Sequence, residues 1–167
     1  MTTLPPYRFM PNPASAYLPA TSHWAHKLSN VARGEAFATA VGKYLQGLGL
    51  VLTREYPAKV GIGSKATKNH RFDFGSSEVL VECKCYTWRE GGGNPSAKVS
   101  TLNEAMMYFH STPGSFRKML FLPKTPKNGV RSPETLVEYY VRQHGHFIPA
   151  SVEVWEMDVQ TNTARKL

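Results

Sequence analysis

The feature that most constrains the fold is a pair of strand-forming segments joined by a short turn, in residues 70–88 (HRFDFGSSEVLVECKCYTW). Aromatic and β-branched residues are frequent in these segments, as is typical of strands. Gly75, Ser76 and Ser77 separate them and favour a hairpin. The pattern therefore predicts two adjacent antiparallel strands.

Helical and strand patterns follow one another on both sides of this hairpin. Apolar residues at spacings of three and four predict a helix that Ser29 or Asn30 caps, with Val31 as the first member of its apolar stripe. Gly47 and Gly49 supply its end. The other predicted elements are a strand at 50–60, a helix that begins near Ser96, a strand at 117–124, a helix from Ser132 to about Gln143 and a strand at 151–159. The order α-β-β-β-α-β-α-β predicts an α/β fold with a mixed central β-sheet flanked by helices.

The length of 167 residues fits a single domain with a sizeable core. Residues 1–28 are rich in proline and are expected to form an extended arm, with residues 29–167 as the folded domain. No apolar run approaches the ~20 residues of a membrane span, and the N-terminus lacks the pattern of a secretory signal. Cys83 and Cys85 are too close in sequence on one strand to pair, so a reducing, cytoplasmic setting is expected.

The charge of the chain bears on its partners. A net charge of +8 favours a polyanionic partner, above all nucleic acid. The alternative is a basic protein whose lysines only solvate its surface. Charge alone does not separate the two interpretations.

Charged residues within the hairpin predict a chemical site. Glu82 and Lys84, two residues apart, share one side of the second strand, opposite an apolar side. On the first strand, Phe72 and Phe74 are expected to face the core together. Because opposed residues of an antiparallel pair share a face, this arrangement would place Asp73 beside Glu82 and Lys84.

The first helix contributes a further acid. Glu35 falls within the apolar stripe, where a carboxylate is costly unless it is paired or binds a metal. The alternative is that Glu35 lies at the margin of the stripe and bonds a lysine or arginine. With Asp73 and Glu82 it offers oxygen ligands suited to Mg²⁺, for which Mn²⁺ can substitute. Lys84 could then orient a water, accept its proton or stabilise negative charge, and the set predicts phosphodiester hydrolysis.

A helix with an acid, a hairpin with an aspartate, the Glu82-Cys83-Lys84 motif, and then a helix and a strand resemble the PD-(D/E)xK nuclease superfamily. This superfamily includes restriction endonucleases and archaeal Holliday-junction resolvases, and the resemblance covers roughly residues 29–123. It implies a restriction endonuclease-like fold in which Asp73 and Glu82 are metal ligands and Lys84 is the catalytic lysine. Glu35 would match the acid that some members carry on the first helix.

One departure from the family pattern is Phe72, which stands where a proline often precedes the aspartate. The resemblance implies a Mg²⁺-dependent DNA endonuclease, with restriction-type double-strand cleavage as the first expectation. A homodimer is expected, because two sites related by a two-fold axis suit cleavage of both strands. The alternatives are a structure-specific resolvase or nicking nuclease, a non-catalytic nucleic-acid-binding module of the same fold, and an interaction domain with structural salt bridges.

Basic residues near the proposed site are candidates for DNA contacts. They are Lys65, Lys68, His70, Arg71, Lys98, Lys124, Lys127 and Arg131. Such residues bind phosphates and give affinity without reading sequence, and a solvated surface is the alternative for each of them. Glu104 and Tyr108, four residues apart on the second helix, either face the site or are ordinary exposed residues.

Overall fold

The computed structural model describes residues 29–63, 66–89, 93, 95–125 and 134–167. The elements in chain order are α1 (Asn30–Gly47), β1 (Thr53–Val60), β2 (Lys68–Gly75), β3 (Val79–Cys83), α2 (Ser96–His110), β4 (Arg117–Pro123), α3 (Leu136–His144), β5 (Val152–Asp158) and β6 (Thr163–Lys166). A short 3-10 turn, Gly145–Phe147, follows α3. The predicted arm at residues 1–28 lies outside the described residues.

The six strands form one mixed sheet in the order β1-β2-β3-β4-β5-β6. The pairs β1/β2, β2/β3 and β5/β6 are antiparallel, and β3/β4 and β4/β5 are parallel. Each parallel connection passes through a helix, as crossovers between parallel strands require. The predicted α/β class and the predicted order of elements are confirmed. The short strand β6 was not predicted.

The helices divide between two hydrophobic clusters separated by the sheet. One cluster joins α1 residues such as Phe37 and Val41 to Val81 and Phe121 of the strands. The other joins α2 and α3 to the alternate strand residues and includes Leu80, Leu102, Phe109, Leu120 and Tyr140. The central strands β3 and β4 are therefore apolar on both faces, as is typical of buried parallel strands.

The ends of α1 follow from its capping residues. The hydroxyl of Ser29 accepts a hydrogen bond from the amide of Ala32, and Gly49 adopts a left-handed conformation with φ of 81° after the helix. The buried residues are Phe37, Ala38, Val41 and Leu45. Val31 is 83% exposed, so its predicted place in the apolar stripe is wrong. Val31 lies on the first turn, outside the stretch that packs on the sheet.

The third helix begins later than predicted. Its N-cap is Thr135, whose hydroxyl accepts a hydrogen bond from the amide of Glu138 while the Glu138 carboxylate accepts one from the amide of Thr135. This reciprocal capping box satisfies two amides that the first turn would otherwise leave unpaired. The helix therefore starts at Leu136 and not directly after Ser132, which lies outside the described residues.

The hairpin strands do not keep the simple alternation that the sequence predicted. Phe74 pairs with Val81 and packs on the α1 side, whereas Phe72 packs on the α2 side. The expectation that both phenylalanines share one core face is therefore wrong. The change of face coincides with Glu55 of β1, whose φ of 51° interrupts the ladder opposite Asp73.

Within the described ranges, no helix combines the length and the apolar composition needed to cross a bilayer.

Candidate active site

The site lies where β2 and β3 separate. Their ladder includes only the pairs Phe74–Val81 and Gly75–Leu80. Beyond it, the Asp73 carboxylate replaces the missing strand partner, because its Oδ2 accepts a hydrogen bond of 2.6 Å from the amide of Cys83. The carboxylate of Asp73 is thereby held at the backbone between Glu82 and Lys84. The prediction that the three residues come together holds, although the route through shared phenylalanine faces was wrong.

Glu82 is the most buried member of this group. Its residue is only 6% exposed, and its Oε1 lies 2.7 Å from Nζ of Lys84. The other oxygen, Oε2, is buried and has no hydrogen-bond partner in the described part of the chain. A buried acceptor without a partner costs about 1–3 kcal/mol, a cost that a cation bound at this oxygen would remove.

The electrostatics of the group follow from burial and proximity. Burial raises the pKa of Glu82 to about 7, an effect that the Lys84 ammonium reduces and the Asp73 carboxylate strengthens. Burial also raises the pKa of Asp73, and the hydrogen bond from the Cys83 amide opposes this. Burial lowers the pKa of Lys84, but the Glu82 carboxylate more than compensates, so this pKa lies above its ordinary value. Two carboxylates and one ammonium are thus mutually coupled in a desolvated site.

The donor set fits a hard divalent cation. Mg²⁺ is held in many proteins by one or two carboxylates, with waters and substrate phosphates completing its octahedron. Asp73 and Glu82 supply two carboxylates. Oε2 of Glu82, which has no hydrogen-bond partner among the described residues, is free to bind a cation. The described residues contain no group of three or more histidine, cysteine, aspartate or glutamate side chains able to enclose a metal. Asp73 and Glu82 are thus two carboxylates that could hold Mg²⁺ only with waters or substrate oxygens completing its coordination.

Glu35 is placed apart from this group. Its two carboxylate oxygens accept hydrogen bonds of 2.7 and 2.9 Å from Arg54, and its side chain is 61% exposed. This is the surface ion pair that the sequence left as the alternative. The Arg54 guanidinium also lies 5.4 Å from the ring centroid of Phe74, and its charge favours the ionised form of Asp73. Arg54 was not predicted, because no nearby sequence pattern distinguishes it from any other exposed arginine on a strand.

The second helix approaches the site beside β2. The ring of His70 stacks on that of Tyr108 with centroids 3.8 Å apart, and Lys68 Nζ lies 5.4 Å from the Tyr108 centroid. The Tyr108 hydroxyl donates a hydrogen bond of 3.1 Å to the carboxylate of Glu104. Burial, and then the positive charge of Lys84, lower the pKa of His70. Glu104 and Tyr108 thus face the β2 residues that lead to the site.

The other predicted DNA-binding residues are dispersed. Arg71 is exposed but, next to His70 on a strand, points to the opposite face. Lys98 donates a hydrogen bond of 3.2 Å to the carbonyl of Thr87, and Lys124 lies 3.5 Å from a carboxylate oxygen of Asp158. Lys65, Lys127 and Arg131 lie outside the described residues. The structure therefore brings Lys68, His70 and Lys98 to the side of the sheet covered by α2, where Glu82 also points.

A cluster of rings at the end of α3 was also missed. It includes Tyr139, Tyr140, His144 and Phe147, in contact with one another or with Trp88. Ring-bearing residues at spacings of three to five along and beyond a helix are a signal that could have indicated it.

No protein-family model, curated protein or solved structure matches the chain. The functional interpretation therefore depends on the site geometry and on the motif resemblance alone. Membership of the PD-(D/E)xK superfamily stays a prediction.

Proposed function

We propose that the chain is a Mg²⁺-dependent endonuclease that hydrolyses phosphodiester bonds in DNA. The observation that supports it most is the convergence of Asp73, Glu82 and Lys84 at the point where two strands separate. One oxygen of Glu82 bonds Lys84, and the other is buried without a hydrogen-bond partner among the described residues, so it is available to a cation.

Each residue has a distinct task in this proposal. Asp73 and Glu82 would hold the cation, and the Cys83 amide keeps the Asp73 carboxylate oriented toward its neighbours. Mg²⁺, when bound, lowers the pKa of an attacking water and neutralises phosphate oxygens. Lys84 has its ammonium on the cluster and can orient the water and stabilise the negative charge that develops on the phosphate.

The proposal extends to partner, assembly and location. A net charge of +8 supports binding to a polyanion and predicts affinity that falls steeply with salt. Two centres related by a two-fold axis suit cleavage of both strands, so we include a homodimer. We include a cytoplasmic setting because Cys83 and Cys85 are both free thiols.

The test is digestion of supercoiled plasmid, linear duplex, branched and single-stranded DNA with Mg²⁺, with Mn²⁺ or with EDTA. The expected result is cleavage that needs the metal, with 3′ or 5′ ends mapped by sequencing. Discrete duplex fragments would indicate a restriction-type enzyme, and cuts at junctions would indicate a structure-specific one. Tight DNA binding without cleavage of any substrate by either metal would remove the enzymatic proposal.

A further inference from the structure

A column of rings runs from the core to the surface at the end of α3. Tyr140 is fully buried, and the ring of His144 lies nearly parallel to it, at 21° and a centroid distance of 5.6 Å. Phe147 continues the column, again at 21° and 6.4 Å from His144, and is 52% exposed. His146 is exposed, and the centroid of its ring lies 4.2 Å from the centroid of the Phe147 ring. The column is therefore anchored in the core and ends at the protein surface.

This surface is connected to the candidate active site by a short segment of chain. Residues 84–88 follow β3, and the amide of Lys84 still donates to the carbonyl of Phe121 on β4. At the other end, Trp88 contacts Tyr139 edge to face at 5.2 Å and donates a hydrogen bond of 3.1 Å to the carbonyl of Thr125. Four residues of extended chain span at most ~14 Å. Trp88 and Tyr139 thus lie within a few nucleotides of a phosphate bound at Lys84.

Cations accompany the rings along this path. The Arg142 guanidinium, which donates two hydrogen bonds to Glu134, lies 5.7 Å from the centroid of Tyr139. Lys98 Nζ lies 5.9 Å from the centroid of Tyr86. Arg89, directly after Trp88, is exposed. Aromatic rings that stack on bases, with basic side chains that follow the phosphates, are how proteins bind single-stranded nucleic acid without reading its sequence. A purely apolar partner would offer no negative charge to pair with these cations, whereas a nucleic acid offers its phosphates.

We propose that Trp88, Tyr139, His144, His146 and Phe147, named here the aromatic platform, bind a single-stranded DNA segment next to the cleaved bond. This inference rests on the proposed function, from which it takes DNA as the bound polymer. It adds the class of DNA that the protein would cleave. That class is duplex DNA with a single-stranded tail, flap or branch. The unpaired bases stack on the platform while the adjoining duplex phosphates reach the centre at Lys84.

The experiment compares two labelled substrates that share one duplex, the first blunt and the second with an oligo-dT tail. Binding is measured by fluorescence anisotropy in EDTA, so that cleavage plays no part. The wild-type protein is expected to bind the tailed DNA at least about fivefold more tightly than the blunt DNA. This factor corresponds to about 1 kcal/mol, the lower end of the range for one base stacked on an aromatic ring. Phe147→Ala should remove this preference and leave the affinity for blunt duplex unchanged. Val51→Ala, which truncates another exposed apolar residue, on the α1 side, is the matched control and should keep the preference.

Equal wild-type affinity for the two substrates would overturn the inference, as would an equal loss on both substrates in Phe147→Ala. Self-association of the free protein that Phe147→Ala abolishes would assign the rings to a second copy and would also overturn it. The outcome is independent of the proposed activity. A tail preference in a protein that never cuts DNA would support the platform and remove the nuclease, and cleavage without a tail preference would do the reverse.

Discussion

The ammonium of Lys84 lies 2.7 Å from Oε1 of Glu82, two residues earlier on the same extended segment. Residues at this spacing point to one side of a strand, so the contact is local and needs no long-range packing. What the rest of the fold adds is burial, since Glu82 pairs with Leu120 of β4 and is only 6% exposed, and a second acid, since β2 brings Asp73 to the amide of Cys83. The site is thus a local pair completed by one tertiary contact.

Lys84→Ala is expected to abolish cleavage while the protein still binds DNA. Removing one preorganised donor from a site of developing charge costs about 10²–10³ in rate. Plasmid nicking in Mg²⁺ measures the rate, and anisotropy in EDTA measures binding. Lys43→Ala removes a lysine exposed on α1 and is the control that should leave both unchanged. Cleavage by Lys84→Ala within threefold of wild type would show that Lys84 has no catalytic part.

Mg²⁺ is expected to stabilise the wild-type protein, independently of any activity. A cation that binds only the folded state at ten times its Kd adds about 1.4 kcal/mol, which corresponds to a rise in Tm of a few degrees for a chain of this size. Asp73→Asn and Glu82→Gln should each remove this rise in a thermal melt. Glu35→Gln should keep the rise in Tm, because both carboxylate oxygens of Glu35 already accept hydrogen bonds from Arg54.

The Glu35 result separates two interpretations of the first helix. If Glu35→Gln also loses the rise, Glu35 leaves Arg54 when the cation binds and acts as a third ligand. If all three variants keep the full rise, the carboxylates are structural, and the metal-dependent mechanism is wrong.

The parts of the fold that were predictable are those set by local periodicity. The residues Val99, Leu102, Met106 and Phe109, at spacings of three and four in the sequence, are all buried on α2. The Glu82–Lys84 pair follows from strand geometry alone. The division of Phe72 and Phe74 between two clusters was not predictable, because no local pattern marks it and it coincides with a left-handed residue, Glu55, on a different strand. Similarly, no pattern near Glu35 indicates that its partner is Arg54, which a different element supplies.

Two glycines of α1 provide a matched test of the packing around the site. A Cβ on Gly42 would lie 2.9 Å from Cζ of Phe74, whereas a Cβ on Gly34 would meet nothing within 4 Å. Gly34→Ala should therefore stabilise the protein by up to about 1 kcal/mol through helix propensity. Gly42→Ala should lose that gain and destabilise by about 1–3 kcal/mol, since the buried Phe74 ring must shift.

Urea unfolding measures both glycine variants. Because Phe74 follows Asp73 directly, Gly42→Ala should also slow cleavage, and Gly34→Ala should not. Equal stabilisation by the two substitutions would show that the helix does not pack on Phe74 as described.

The buried carboxylate predicts a pH dependence of stability in the metal-free protein. The pKa of Glu82 is about 7 in the folded state, against an ordinary value of 4.5. Between these two values the folded state keeps a proton that the unfolded chain has released, so the folded state binds more protons. The free energy of unfolding should therefore fall as pH rises from about 4.5 to 7, by up to about 3 kcal/mol from this group. Above pH 7 both states are ionised at Glu82, and its contribution stops changing.

His70 titrates in part of the same window with the opposite sign. Its folded-state pKa is lowered by burial, so stability from His70 rises with pH until the unfolded imidazole also loses its proton. The contribution of Glu82 and of its coupling to Asp73 is therefore isolated as the difference between wild type and Glu82→Gln, measured by urea unfolding in EDTA from pH 4.5 to 8. His70 is present in both proteins and cancels. The free energy of unfolding of the wild type minus that of Glu82→Gln should fall steadily up to pH 7 and then level off if burial holds the carboxyl of Glu82 neutral. A difference that is flat across the whole range would mean that Glu82 is solvated, and the buried centre from which the nuclease proposal begins would be absent.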